Sequence, residues 1–323
     1  MQAVAPEPDL APDARGVRRL AFRALGTPCN IQFRLTEEKA ALLFAAEAIN
    51  WLSDFEAKFS RFRPDSIVSR INEAAGREWV AVDAEMERLL DMADGLYFLT
   101  TGLIDATMLP LLRVWDWKKV HTRLPAAEEV KSAHALTGWK KVQRRKGAVY
   151  LPTAGMGLDF GGFGKEFAVD QLAAIAKRFG IRDSLIDLGR DIMALGGNGV
   201  HPFWHVGVED GVHPGQCRGG LGVTNRAVAS SGDYARHFTH NGVRYGHILD
   251  PRTGWPVGNE MRVVTVIAPA CLEAGVFSTS IFILGGKEGM AFAGRSPHVA
   301  VSAQTDRGVL DTREFVRWQV RAA

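Results

Sequence analysis

Six of the nine histidines fall between His201 and His247, so imidazole chemistry, whether metal ligation or proton transfer, is concentrated in one stretch. His201 and His205 have the i,i+4 spacing that would place two rings on one helical face for a metal. The segment FWHVGV at 203–208 alternates like a strand, where positions four apart lie about 13 Å from one another along the chain, and this argues against a metal pair. His247 sits differently, in GHILDPRTG at 246–254, with Asp250 three residues on and Pro251 and Gly254 shaping a turn. A histidine beside a turn is, by itself, more often structural than catalytic.

Glycine is the second concentration. Gly155, Gly157, Gly161, Gly162 and Gly164 precede a helical pattern with Lys165 in its first turn. Main-chain amides at a helix start, with few Cβ atoms in the way, suit a phosphate. The P-loop pattern fails, because Asp159 stands where its first glycine belongs and Glu166 where Ser or Thr should follow the lysine; GxGxxG fails at Phe160. Glycines for turns or close packing explain the bare cluster as well. SSGDY at 230–234 reads as a β-turn, Asp105 in GLIDAT as an N-cap, and Thr279 and Ser280 as hydroxyls bonded to the preceding helical turn.

The elements around these residues fit one soluble globular unit. The 323 residues carry 39 Lys and Arg against 36 Asp and Glu, a net +3 with no basic block, which gives no reason to expect nucleic acid as a partner. Cys29, Cys217 and Cys271 form no CxxC pair, so zinc ribbons and thioredoxin-like motifs are excluded and buried free thiols expected. Residues 1–17 contain no secretory-signal pattern and read as a disordered lead-in, and no apolar run reaches the ~20 residues of a membrane span. The expected location is cytoplasmic, or periplasmic if a signal has been removed. A hairpin is predicted over 18–25 and 29–35, and a helix over 36–59. A polar, arginine-rich loop then follows at 59–72. Further helices are predicted at 83–101, 107–117, 167–179 and 272–284, and a hairpin at 142–151. Short strands are expected at 183–188, 192–195, 204–208, 222–230, 243–249 and 262–268. Without strict βαβ alternation the fold class is α+β, with antiparallel-rich sheets and packed helices, as a single domain over 18–323.

The succession FSRFRPDSIVSRIN, TGLIDATMLPLLRVWDW, LDFGGFGKEFAVD, LIDLGRDIMALGG, VASSGDYARHF, RYGHILDPRTGWPV and VIAPACLEAGVFSTSIFILGG resembles the ApbE family of FAD:protein FMN transferases, block by block and in order. The resemblance implies an ApbE-like (T-fold-like) architecture, FAD as substrate and Mg²⁺ as cofactor. It implies transfer of FMN to a Ser or Thr hydroxyl of an acceptor protein, with release of AMP. By the same resemblance His247 accepts the hydroxyl proton. Asp105, Gly161, Gly162, Lys165, Asp191, Ser231, Gly232, Asp233, Asp250 and Thr253 shape the FAD site, and the Gly164 carbonyl and Thr279 are metal ligands.

Two positions depart from the family pattern. Gly275 stands where the last block usually carries an Asp four residues before Thr279, and Glu273 is about 200° round the helix from it. Arg190 replaces the middle residue of Gly-Gly-Asp, where it puts a cation beside the expected flavin site. These departures motivate two alternatives: an FAD-binding member with weakened or lost metal catalysis, and a metal-dependent FAD pyrophosphatase.

Overall fold

The computed structural model describes residues 10–117, 124–213, 215–234 and 236–320. The chain divides into two compact units, one made of residues 1–56, 163–232 and 260–323, the other of residues 57–162 and 233–259.

The first unit is built on an eight-stranded sheet, in the order Val17–Ala24, Thr27–Arg34, Ser184–Leu188, Asp191–Leu195, Arg226–Gly232, Met261–Ala268, Ala300–Thr305 and Gly308–Asp311. Every adjacent pair is antiparallel. Leu25 and Gly26 turn the first hairpin at positive φ, and Gly189 and Arg190 turn the third and fourth strands in the same way. The helices Gly164–Arg178 and Cys271–Ala293 pack against each other and on the sheet. Asp170 of the first helix caps the second, accepting from Cys271 N at 2.7 Å and Leu272 N at 2.9 Å. A three-stranded sheet of Gln319–Val320, Cys217–Val223 and Trp204–Glu209 packs its Trp204, Val206, Val208, Leu221 and Val223 against Val228 and Ile267 of the large sheet. Met261–Ala268, buried at all but one position, is therefore apolar nearly throughout rather than alternating.

The second unit holds the helices Ile67–Glu73, Ala84–Leu99, Leu109–Val114 and Ala127–Ala135, a three-stranded sheet and the hairpin His237–His240/Val243–Gly246. Its core gathers Leu111, Trp115, Val130, Ala133 and Leu249, with Trp117, Phe238, Tyr245 and Trp255 packed around them.

The α+β class and the antiparallel sheets agree with the sequence reading, and four local expectations need correction. The arginine-rich segment 59–72 is not all loop, because Ser66 caps a helix that starts at Ile67. Residues 10–17, expected within the disordered lead-in, are tied down: Leu10 is buried and its carbonyl accepts from Arg18 Nη1 at 2.6 Å. Residues 1–9 lie outside the described residues. The helix predicted at 272–284 continues to Ala293 after a break at Gly285, whose φ of 82° no side-chain-bearing residue adopts easily. His201 and His205 are not spread along one strand, since the strand begins at Trp204 and the bend before it brings the two rings to 5.0 Å.

Among the described residues no helix is long and apolar enough to cross a membrane. The cysteines are free thiols, with Cys29 and Cys271 buried and Cys217 exposed. Burial pushes the Cys29 thiol up to about 11 and Cys271 well above its ordinary value. At pH 8 the native protein should therefore react with Ellman's reagent through Cys217 alone, and with all three cysteines once denatured. Fast native labelling of Cys29 or Cys271, located by peptide mass, would contradict this packing.

Candidate functional site

In the first unit the helix Gly164–Arg178 begins at a bare N-terminus, without a side-chain cap. Lys165 Nζ is bonded to Asp191 on the strand Asp191–Leu195. Burial pulls the ammonium down, but Asp191 and then Glu166 outweigh it, so Lys165 stays charged. Glu166 is 8% exposed, and burial first, then Asp191, pushes its carboxyl up to about 8 against the pull of Lys165. Its Oε2 has no hydrogen-bond partner.

Gly232 closes the strand that carries Ser231. Ser231 Oγ lies 2.9 Å from both Ser278 Oγ and Thr279 Oγ1 of the helix Cys271–Ala293. Ser278 donates back to the Gly275 carbonyl at 3.0 Å, as a hydroxyl in a helix usually does, whereas Thr279 turns to the strand instead. The first unit thus brings together Gly164, Lys165, Asp191, Ser231, Gly232 and Thr279 on neighbouring elements.

The second unit holds the remaining expected residues. Asp233 is buried and ion-paired with Arg244 at 3.2 Å. Gly246 permits this approach, since a Cβ there would lie 2.7 Å from Asp233 Cβ. His247 follows directly, its amide donating to the Arg236 carbonyl and its Nδ1 shielded from solvent. Asp250 holds the next turn: its carboxylate accepts from Arg252 N at 2.9 Å and pairs with the Arg252 guanidinium, and its carbonyl accepts from Thr253 N and Gly254 N. Thr253 Oγ1 accepts from Trp255 N at 3.2 Å. Trp115 Nε1 donates to the Gly254 carbonyl at 2.9 Å and anchors the turn in the apolar core.

Asp105 is not an N-cap. It accepts from Thr107 N at 2.7 Å, Thr107 Oγ1 at 2.6 Å and Trp139 N at 3.1 Å, while Met108 occupies the cap position. In the glycine-rich segment Asp159 accepts from Gly161 N at 2.7 Å and pairs with Arg61. Asn72 bonds Leu158 both ways, at 2.6 and 3.0 Å. Gly157 is a packing glycine, because a Cβ would sit 2.6 Å from Leu109, whereas Gly162 faces open space. Arg61, Asn72 and Asp159 lie in segments read as polar loop and glycine cluster, and only their pairing shows what they hold.

The two departures also have partners. The Arg190 guanidinium pairs with Glu209. Glu273, already inside the helix, binds His298 Nε2 at 2.6 Å. Neither side chain fills the space left by Gly275. A Cβ on Gly275 would instead meet Glu166, at 2.5 Å from Cγ and 2.8 Å from Oε1.

Comparison with known proteins fits this arrangement. The fold is that of solved flavin transferases: the ApbE protein of Thermotoga maritima superposes with a TM-score of 0.85 at 29% identity, covering 94% of this chain and 100% of that one. The flavin transferase ApbE of Vibrio cholerae gives 0.82 at 26% identity, with 94% and 99% covered. The FAD:protein FMN transferase of Haemophilus influenzae is 28% identical over 303 residues, 90% of this chain and 87% of its own length. That of Treponema pallidum is 30% identical over 296 residues, with 85% and 81% covered. The ApbE family matches residues 25–303. The chain belongs to the ApbE family.

Asp105 should prove a structural carboxylate. Asp105→Ala strands two amides and a hydroxyl, and should lower the unfolding free energy by about 2–3 kcal/mol, read from the urea midpoint. An unchanged midpoint would show that these bonds do not hold the segment.

Proposed function

We propose that this ApbE-family transferase moves the FMN half of FAD onto a Ser or Thr hydroxyl of an acceptor protein and releases AMP, with residues 18–323 acting as one flavin-transferase domain. The observation that carries this reading is its similarity to enzymes named FAD:protein FMN transferase over more than four-fifths of both chains.

The acceptor oxygen attacks the phosphorus on the FMN side of the pyrophosphate. A new O–P bond forms, the bridging P–O bond breaks, and AMP leaves with the bonding electrons. The hydroxyl proton passes to an imidazole nitrogen of His247, whose loop is held rigid by Asp250, Thr253 and the Trp115 anchor. The Lys165 ammonium, kept charged by Asp191, supplies fixed positive potential for phosphate, and the exposed main chain at Gly161 and Gly162 admits its close approach. Asp105, Gly232 and Asp233 shape the flavin nucleotide site.

Among the described residues no cluster of three or more His, Cys, Asp or Glu side chains is able to hold a metal. The oxygen donors that do gather, with a buried carboxylate oxygen left unpartnered beside Gly275, nevertheless suit Mg²⁺, which keeps several waters and substrate phosphates among its ligands. The Gly164 carbonyl and Thr279 hydroxyl would hold it, and the ion would neutralise pyrophosphate charge. No specific observation favours the binding-only or pyrophosphatase alternatives.

Purified protein incubated with FAD, Mg²⁺ and candidate acceptors should yield covalently fluorescent acceptor and one AMP per transfer. His247→Ala should lower transfer by roughly 10²–10⁴ while flavin fluorescence still quenches on binding. AMP released without acceptor labelling would select hydrolysis instead, and absence of saturable FAD binding would end the reading.

A further inference from the structure

Glu166 is a buried carboxylate of the first unit to which the flavin-transfer reading assigns no partner of its own. It projects from the third position of one helix toward the backbone of another at Gly275, where a Cβ would stand 2.5 Å from its Cγ and 3.0 Å from its Cδ. The glycine is what makes room for the carboxylate. Glu166 is more than nine-tenths buried, and Oε2 makes no hydrogen bond. The adjacent ammonium, Lys165, is bonded to Asp191, and Asp170 is committed to the amides of Cys271 and Leu272. Glu166 and Asp191 thus stand near one ammonium in a buried place, where an unpartnered carboxylate oxygen is costly unless a donor or a cation meets it. Thr279 lies four residues beyond Gly275, on the same helical face, with its hydroxyl turned to Ser231 rather than into its own helix.

We propose that Glu166 is the anionic ligand of the divalent cation this enzyme uses, reaching from the neighbouring helix into the space that Gly275 leaves, with Thr279 as a second protein donor. The proposal rests on the flavin-transfer reading. It makes position 166 and position 275 a reciprocal pair: one carboxylate and one glycine, with room for a single acidic side chain between the helices.

Mn²⁺ titration of the full chain in the presence of FAD, followed by the electron paramagnetic resonance signal of the free ion, tests this without turnover. Outer partners of metal ligands cost about 10–100-fold in affinity when removed, so Glu166→Gln, which removes a direct ligand, should weaken Mn²⁺ by at least about tenfold. FAD quenching measured in EDTA should stay unchanged. Gly275→Asp alone should destabilise the fold by crowding Glu166, whereas Glu166→Gly combined with Gly275→Asp should recover both stability and Mn²⁺ binding. If Glu166→Gln does not fold, the exchanged pair decides: Mn²⁺ binding supports the proposal and its absence overturns it. Equal Mn²⁺ affinity in parent and Glu166→Gln, or no Mn²⁺ binding by a parent that binds FAD, overturns the assignment and leaves the flavin reading standing. Loss of FAD binding in the parent itself removes both.

Discussion

The close approach of the helices Gly164–Arg178 and Cys271–Ala293 governs the chemistry of the first unit. One helix starts beside Lys165 and Glu166; the other is capped by Asp170 of its neighbour and presents Gly275 to Glu166. Any side chain at 275 would collide with Glu166 unless one of them moved, so the identity of one position constrains the other. The contact also buries Asp191, Glu166 and Cys271 beside the partly exposed Lys165, where charge interactions are strong and unpaired charge is costly. The Lys165–Asp191 pair keeps the ammonium charged there.

The second unit is organised by main chain held from its side chains. Asp105, Asp159, Asn72 and Asp250 each accept from at least one backbone amide, and Trp115 pins the turn after His247 through a single indole bond. Such bonds carry no chemistry of their own. They place an imidazole and a stretch of bare glycine backbone with little freedom left, which is what positioning catalysis requires. The cost of ordering these loops is met by an apolar cluster rich in tryptophan rather than by regular secondary structure.

Legibility in the sequence varied with the range of the interaction involved. The hairpin over 17–34 and the helix ending before Gly180 are local matters of alternation, periodicity and glycine, and the periodic pattern located them. The helix at Ile67 was hidden because its cap, Ser66, lies in a run whose arginines masked a short apolar face. The histidine pair misled for a related reason: spacing along an ideal strand says nothing where the chain bends before the strand begins. Asp105 showed as a cap candidate, but its partners include Trp139, which is distant in sequence.

The order of motifs along the chain determined family and fold class, because those properties depend on residue type and local spacing, and it named candidates for the chemistry. The sequence could also show that a carboxylate was missing at position 275, and could not show where another had gone. That was decided only when two helices more than a hundred residues apart in the chain packed closely enough for Glu166 to occupy the space beside Gly275. Contacts of that kind have no periodicity and no fixed separation, so they exist only once the chain has folded.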